Sequence, residues 1–301
     1  MRSFLLGVCL LCFVDLWGQT RVFVLGIAQD GGFPHIGCMA MCRQAYQEPE
    51  MKRFVVSLAV TDEKSGKWWL FEATPDFRDQ LHYFQELTDG HYAYLPEGIV
   101  ITHAHMGHYT GLAHLGKEAL AASGVPVYVL PKMADFLREN GPWSQLVQAG
   151  NIDLRVMARH QVVPLSESLR LVPFPVPHRD EYSETAGFRI QDAARTILFI
   201  PDIDKWERWD EDIVAWVEGV DLAFLDGSFF QDGELPNRNA ADVPHPFVTE
   251  TIERFSQAPA SIANRVHFIH LNHTNPLLWD DDLIRELEQR GFHVAVQGAI
   301  Y

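Results

Sequence analysis

Residues 99–112 read Ile-Val-Ile-Thr-His-Ala-His-Met-Gly-His-Tyr-Thr-Gly-Leu. The β-branched run 98–102 predicts a strand, and three histidines follow its end. Residues two apart on extended chain point the same way, so His103 and His105 can grip one ion from one side. His108, after a turn at Gly107, reaches the same region from another angle. Imidazole is the commonest ligand for zinc and similar metals, and a catalytic site needs about three protein ligands plus an open position. With 14 histidines in 301 residues, three at these offsets arise by chance in roughly 3% of such chains, so the spacing is read as a ligand set.

Further strand-end residues extend the set. His178 lies between predicted strands at 169–172 and 188–190. Asp202 ends the apolar run Thr-Ile-Leu-Phe-Ile-Pro-Asp, and His270 ends Val-His-Phe-Ile-His. In strand phase His270 shares a face with Phe268, whereas His267 and Ile269 share the other.

Around these positions, strand-like runs occupy 21–27, 55–61, 68–72, 98–102, 125–130, 169–172, 188–190, 196–200, 222–225, 266–269 and 293–297. Helical patterns predict a helix capped by Thr74-Pro75, one from Asn275-Pro276 to Gly291, and others at 131–139, 206–217 and 248–256. No repeat or linker interrupts the chain, so one α/β domain with two clusters of strands is the simplest account. Trp68, Trp69, Trp206 and Trp209 are read as packing residues rather than a substrate platform.

The composition is 47% hydrophobic, and 24 basic against 40 acidic residues give a net charge of −16. That charge excludes the basic face on which phosphate-mediated nucleic-acid binding depends, and an anionic membrane surface would repel the chain. Residues 1–19 place Arg2 before about eleven apolar residues, the pattern of a secretory leader and too short for a span of about 20. An exported protein, periplasmic or secreted, with the domain at 20–301 and no stable membrane insertion, is the expectation. Four cysteines are too few for a disulfide scaffold.

The order His-x-His-x-x-His, lone His, strand-end Asp, final His resembles the metallo-β-lactamase fold superfamily across essentially the whole domain. Three stretches resemble its PqqB-type branch, linked to pyrroloquinoline quinone formation: 25–34 (Leu-Gly-Ile-Ala-Gln-Asp-Gly-Gly-Phe-Pro), 71–78 (Phe-Glu-Ala-Thr-Pro-Asp-Phe-Arg) and 268–276 (Phe-Ile-His-Leu-Asn-His-Thr-Asn-Pro). The resemblance implies an αββα sandwich of two mixed β-sheets flanked by helices. It implies a first metal site of His103, His105 and His178, with Asp202 bridging to a second that contains His108 and His270. Most members carry Asp where this chain has Gly107, so one zinc rather than two is expected, with manganese or iron as alternatives. Asp204 or His273 are the candidate substitutes. Unlike many of the PqqB branch, this chain keeps the first two histidines, so it is similar to that branch in scaffold more than in metal site.

The function implied is a metal-dependent hydrolase. A metal held by neutral imidazoles lowers the pKa of its water toward about 7, making hydroxide available to attack an ester, lactone, amide or phosphodiester of a small molecule. Asp202 would hold that hydroxide and accept its proton, and His245 or His273 would protonate the leaving group. His35, Asp30 and Glu181 are further crevice candidates. The alternatives are an iron-dependent oxidase or hydroxylase of the PqqB type, since imidazole and carboxylate also suit iron, and a non-catalytic binding protein on this scaffold. Cys38 and Cys42 resemble a remnant of the branch's zinc-binding cysteines; a zinc site with His35, a disulfide and two free thiols all stay open. Neither substrate nor oligomeric state is encoded in a recognisable motif.

Overall fold

The computed structural model describes residues 20–235 and 243–301. The leader reading for residues 1–19 lies outside the described residues. Among the described residues thirteen strands form two mixed sheets. The first orders β1 (Thr20–Gly26), β2 (Ser57–Asp62), β3 (Lys67–Phe71), β4 (Gly98–Val100), β5 (Val125–Val129) and β6 (Ile152–Val156). The second runs from β7 (Val163–Pro164) through β8 (Arg170–Val176), β9 (Thr185–Gln191), β10 (Thr196–Ile200), β11 (Leu222–Asp226) and β12 (Val266–Ile269) to β13 (His293–Val294). Each sheet begins antiparallel and becomes parallel, at β3–β4 in the first and β10–β11 in the second. This is the αββα sandwich expected.

Period-two alternation explains why both faces of the first sheet are apolar. Val22, Val24, Trp69 and Phe71 enter the core between the sheets, where Phe71 meets Phe188 and Phe199 edge-on. Phe23, Leu25, Trp68 and Leu70 face outward into a second core. There they meet α2 (Phe77–Leu87), which buries Phe77, Leu81 and Phe84. Trp68, Trp69 and Trp206 are buried and Trp209 packs against the core, in keeping with packing roles. Shorter helices are α1 (Arg43–Gln47), α3 (Met106–Tyr109), α4 (Pro131–Glu139) and α5 (Trp143–Gln148), then α6 (Ile213–Glu218), α7 (Val248–Arg254), α8 (Ala260–Ala263) and α9 (Asp281–Gln289). Among the described residues no helix is long and apolar enough to cross a membrane.

Three expected helices differ. The Thr74 hydroxyl accepts from the Asp76 amide at 3.0 Å, forming a turn, and α2 starts at Phe77. The stretch 206–217 splits into a 3₁₀ turn at Trp206–Arg208 and α6, because Asp212 caps a new helix by accepting from the Val214 amide. Likewise Asn275 caps only the 3₁₀ turn Pro276–Leu278, and Asp280 caps α9.

Candidate metal centre

Every residue of the expected constellation follows the carboxyl end of a strand, where a sheet opens onto a crevice. His103, His105 and His108 follow β4, His178 follows β8, Asp202 follows β10 and His270 follows β12. Backbone bonds hold these loops together across the two sheets. The Ala186 amide of β9 donates to Thr102 at 3.1 Å, Asp204 to Pro177 at 2.7 Å, and Leu271 to Ile27 at 2.7 Å. The Ala104 amide is anchored on Ser183 Oγ at 2.9 Å.

The first group of converging atoms belongs to His103, His105, His178 and Asp202, all within 4.8 Å of one another. His103 Nε2 lies 2.8 Å from His105 Nδ1, which lies 3.2 Å from His178 Nε2. Asp202 Oδ2 is 3.3 Å from His103 Nε2 and 3.2 Å from His178 Nε2. Ligands on a tetrahedral zinc with bonds of about 2.05 Å stand about 3.3 Å apart, so these spacings fit such an ion. The far nitrogens are oriented by partners: His103 Nδ1 pairs with Thr102 Oγ1 at 2.9 Å, and His105 Nε2 with Glu181 Oε2 at 3.0 Å.

On the other side of Asp202 lie His108 and His270, whose Nε2 atoms stand 3.6 and 3.9 Å from Asp202 Oδ2. Together with Asp30 they form another converging group, and Asp202, Asp226, His245 and His270 form a third. His108 Nδ1 faces Glu72 Oε1 at 3.3 Å, and His270 Nδ1 pairs with Ser228 Oγ at 2.8 Å. Glu72 and His270 both hold positive φ, at 71° and 66°, a conformation costly for non-glycine residues and typical of functional sites.

Buried polar atoms ordinarily find partners. Here Asp30 Oδ1, His108 Nε2, Asp202 Oδ1 and His270 Nε2 have none among the described residues. Carboxylates and imidazole lone pairs converging without hydrogen-bond partners are the chemistry of a cation site.

Burial lowers the basicity of His103 and His105, and brings His270 down to about 4, keeping these imidazoles neutral and suited to ligation. His108 is also opposed by burial, but Glu72, Asp30 and Asp202 outweigh it and raise it to about 9. Burial would raise the Asp202 carboxyl; the surrounding imidazoles of His178, His270 and His245, with a hydrogen bond from His103, instead hold it well below the usual range.

His245 joins this cluster, with Nδ1 at 3.3 Å from Asp202 Oδ1 and 2.9 Å from Asp226 Oδ2. Although desolvation opposes its charge, Asp226 and Asp202 raise His245 to about 9. Asp226 also accepts amide hydrogens from Ile203 and Ser228, at 3.1 and 2.8 Å, so it is rigidly held. His273 contributes to none of the three groups. Its ring stacks on His35 with centroids 4.1 Å apart, and burial lowers it to about 4. Asp204 also lies outside them, bound to Arg208 and to the Lys205 amide. Among the described residues Cys38 and Cys42 form no disulfide, and the Cys42 amide donates to Cys38 Sγ at 3.2 Å.

Glu72, Asp226 and Ser228 were not among the expected site residues. Asp226 carries the same signal as Asp202, an acidic residue ending an apolar strand in Leu-Ala-Phe-Leu-Asp. Glu72 follows Trp-Trp-Leu-Phe in the same way.

Among known proteins, coenzyme PQQ synthesis protein B of Xanthomonas campestris pv. campestris is 27% identical over 285 aligned residues, spanning 86% of this chain and 91% of that protein. The structure of Zn(2+)-bound PqqB from Methylobacterium extorquens superposes with a TM-score of 0.76 at 22% identity, covering 93% of this chain and 99% of that one. A diphosphatase from the PhnP family superposes with a TM-score of 0.66 at 22% identity, covering 94% and 96%. The Beta-lactamase superfamily domain matches residues 67–270, which carry all the expected metal ligands. This chain belongs to the β-lactamase superfamily, with a metallo-β-lactamase fold and a PqqB-like scaffold.

Proposed function

We propose that this protein is a metal-dependent hydrolase of a small-molecule ester, lactone, amide or phosphodiester. His103, His105, His178 and Asp202 would hold the metal, zinc before manganese or iron. When bound, the ion supplies Lewis acidity and a water of lowered pKa. The neutral imidazoles of His103 and His105 leave their lone pairs available, and the ionised Asp202 carboxylate orients the attacking water and accepts its proton. His245, cationic at neutral pH, donates a proton to the leaving group, while Asp226 keeps its ring in place. His273, neutral under the same conditions, is the weaker candidate for that step.

The observation that carries this reading is the set of spacings of 2.8–3.3 Å among the first group, with the buried His245 cation beside it. The likeness to a diphosphatase fold is compatible with phosphodiester cleavage. The similarity to PqqB supports the second reading, an iron-dependent oxidase or hydroxylase. The deciding experiment loads metal-free protein with zinc or with iron and presents a panel of model esters, lactones, amides and phosphodiesters. Hydrolysis by the zinc form that is lost in His103→Ala supports the proposal. No hydrolysis, with oxygen consumption by the iron form, overturns it.

A further inference from the structure

Gly107 stands where a second-site carboxylate is expected, and the structure shows what fills its place. A Cβ built on Gly107 would lie 2.1 Å from Asp30 Oδ1 and 2.7 Å from the Asp30 Cα. Backbone as well as side chain blocks that position, so a side chain at 107 and the present Asp30 exclude each other. The glycine is required by close approach rather than by backbone conformation, since Gly107 sits within the ordinary helical turn α3.

Asp30 comes from the loop after β1, which is held against the His270 loop. The Gln29 amide donates to Leu271 at 2.9 Å, and Gln29 also pairs with Asn272. Its Oδ1 is buried without a partner and lies 3.6 Å from His108 Nε2, which has no partner either. His270 Nε2 is likewise unpaired among the described residues, and one ligand atom from each of Asp30, His108 and His270 lies within 4.8 Å of the other two. Glu72 and Ser228 occupy the opposite nitrogens of the two rings, leaving both Nε2 atoms to face the same point.

We propose that Asp30 completes a second divalent-metal position with His108, His270 and Asp202, supplying from a different loop the carboxylate that Gly107 lacks. The proposal rests on reading the cluster as a metal centre and replaces the expectation of a lone ion. The carboxylate has moved in sequence, from the histidine motif to the first loop, but not in space.

The test is zinc stoichiometry by elemental analysis of metal-free protein reconstituted with excess zinc and desalted. The wild type is expected to retain two ions per chain and Asp30→Ala one. Anomalous diffraction at the zinc edge of the wild type, expected to place one peak in bonding contact with Asp30, does not depend on any variant folding. A wild type saturating at one zinc, an Asp30→Ala variant retaining two, or a second peak away from Asp30 would overturn it. None of these readouts uses turnover: protein binding no zinc at all sinks the hydrolase reading too, whereas a single zinc sinks only the role of Asp30.

Discussion

His245 Nδ1 lies 2.9 Å from Asp226 Oδ2, and both side chains are buried beside Asp202. An imidazole so placed keeps its proton past neutral pH, to about 9, because two carboxylates outweigh its desolvation. On substrates with poor leaving groups, His245→Ala is expected to lower kcat by about 10²–10⁴, and nitrophenyl substrates should lose far less. The alkaline limb of the pH–rate profile should lie near 9 and move toward about 6.5 in Asp226→Asn. The pair also links stability to pH. The folded value is raised, so its contribution is full below about 6.5 and is lost as pH rises through about 9. Thermal melts of wild type and Asp226→Asn across that window should therefore converge at high pH.

Zinc binding should stabilise the fold. At a free concentration about 100 times Kd the gain is about 2.7 kcal/mol, read as a rise in Tm that a chelator reverses. His178→Ala should lose most of that rise, because it removes one of the four closely spaced donors. A melting curve indifferent to both zinc and chelator would contradict the metal-centre reading.

Glu72→Gln keeps the size of the side chain but removes the charge facing His108 Nδ1 at 3.3 Å. Loss of such an orienting group costs about 10–100-fold in metal affinity. Competition titration with a chromophoric chelator should show this weakening with the far-ultraviolet spectrum unchanged.

Away from the centre, Asp62 at the end of β2 accepts from Ser65, Ser166 and Ser168 hydroxyls at 2.8, 2.5 and 2.8 Å, tying the first sheet to the β7–β8 turn. Burial raises its carboxyl, but these bonds outweigh that and leave it below the usual range. Its stabilisation is therefore present above about pH 4 and is lost as pH falls through the lowered value. Asp62→Ala should cost about 2 kcal/mol in urea unfolding at pH 7 and less at pH 2.

The strands were legible wherever both faces are buried, as in Val22–Leu25 and Trp68–Phe71, since an unbroken β-branched or aromatic run has few other uses. The β6 segment Ile-Asp-Leu-Arg-Val escaped notice because its alternate residues face water and its apolar content is low. Helix boundaries failed where several capping residues compete: Asn275 and Asp280 are five apart, and only packing decides which of them begins the longer helix.

Of the candidate site, the six expected ligand residues were legible as strand-end histidines and an aspartate. Asp30, Glu72 and Asp226 have roles that depend on which atoms meet across the two sheets. The chemistry of the donors, their order and the sandwich that carries them were determined by the chain itself, because local hydrophobic periodicity and ligand spacing are properties of neighbouring residues. Only the tertiary structure decided that Asp30 takes the space beside Gly107 and that Asp226 holds the His245 proton. Those contacts join residues 77 and 19 positions apart, and no local pattern carries information about a distance set by the packing of separate strands.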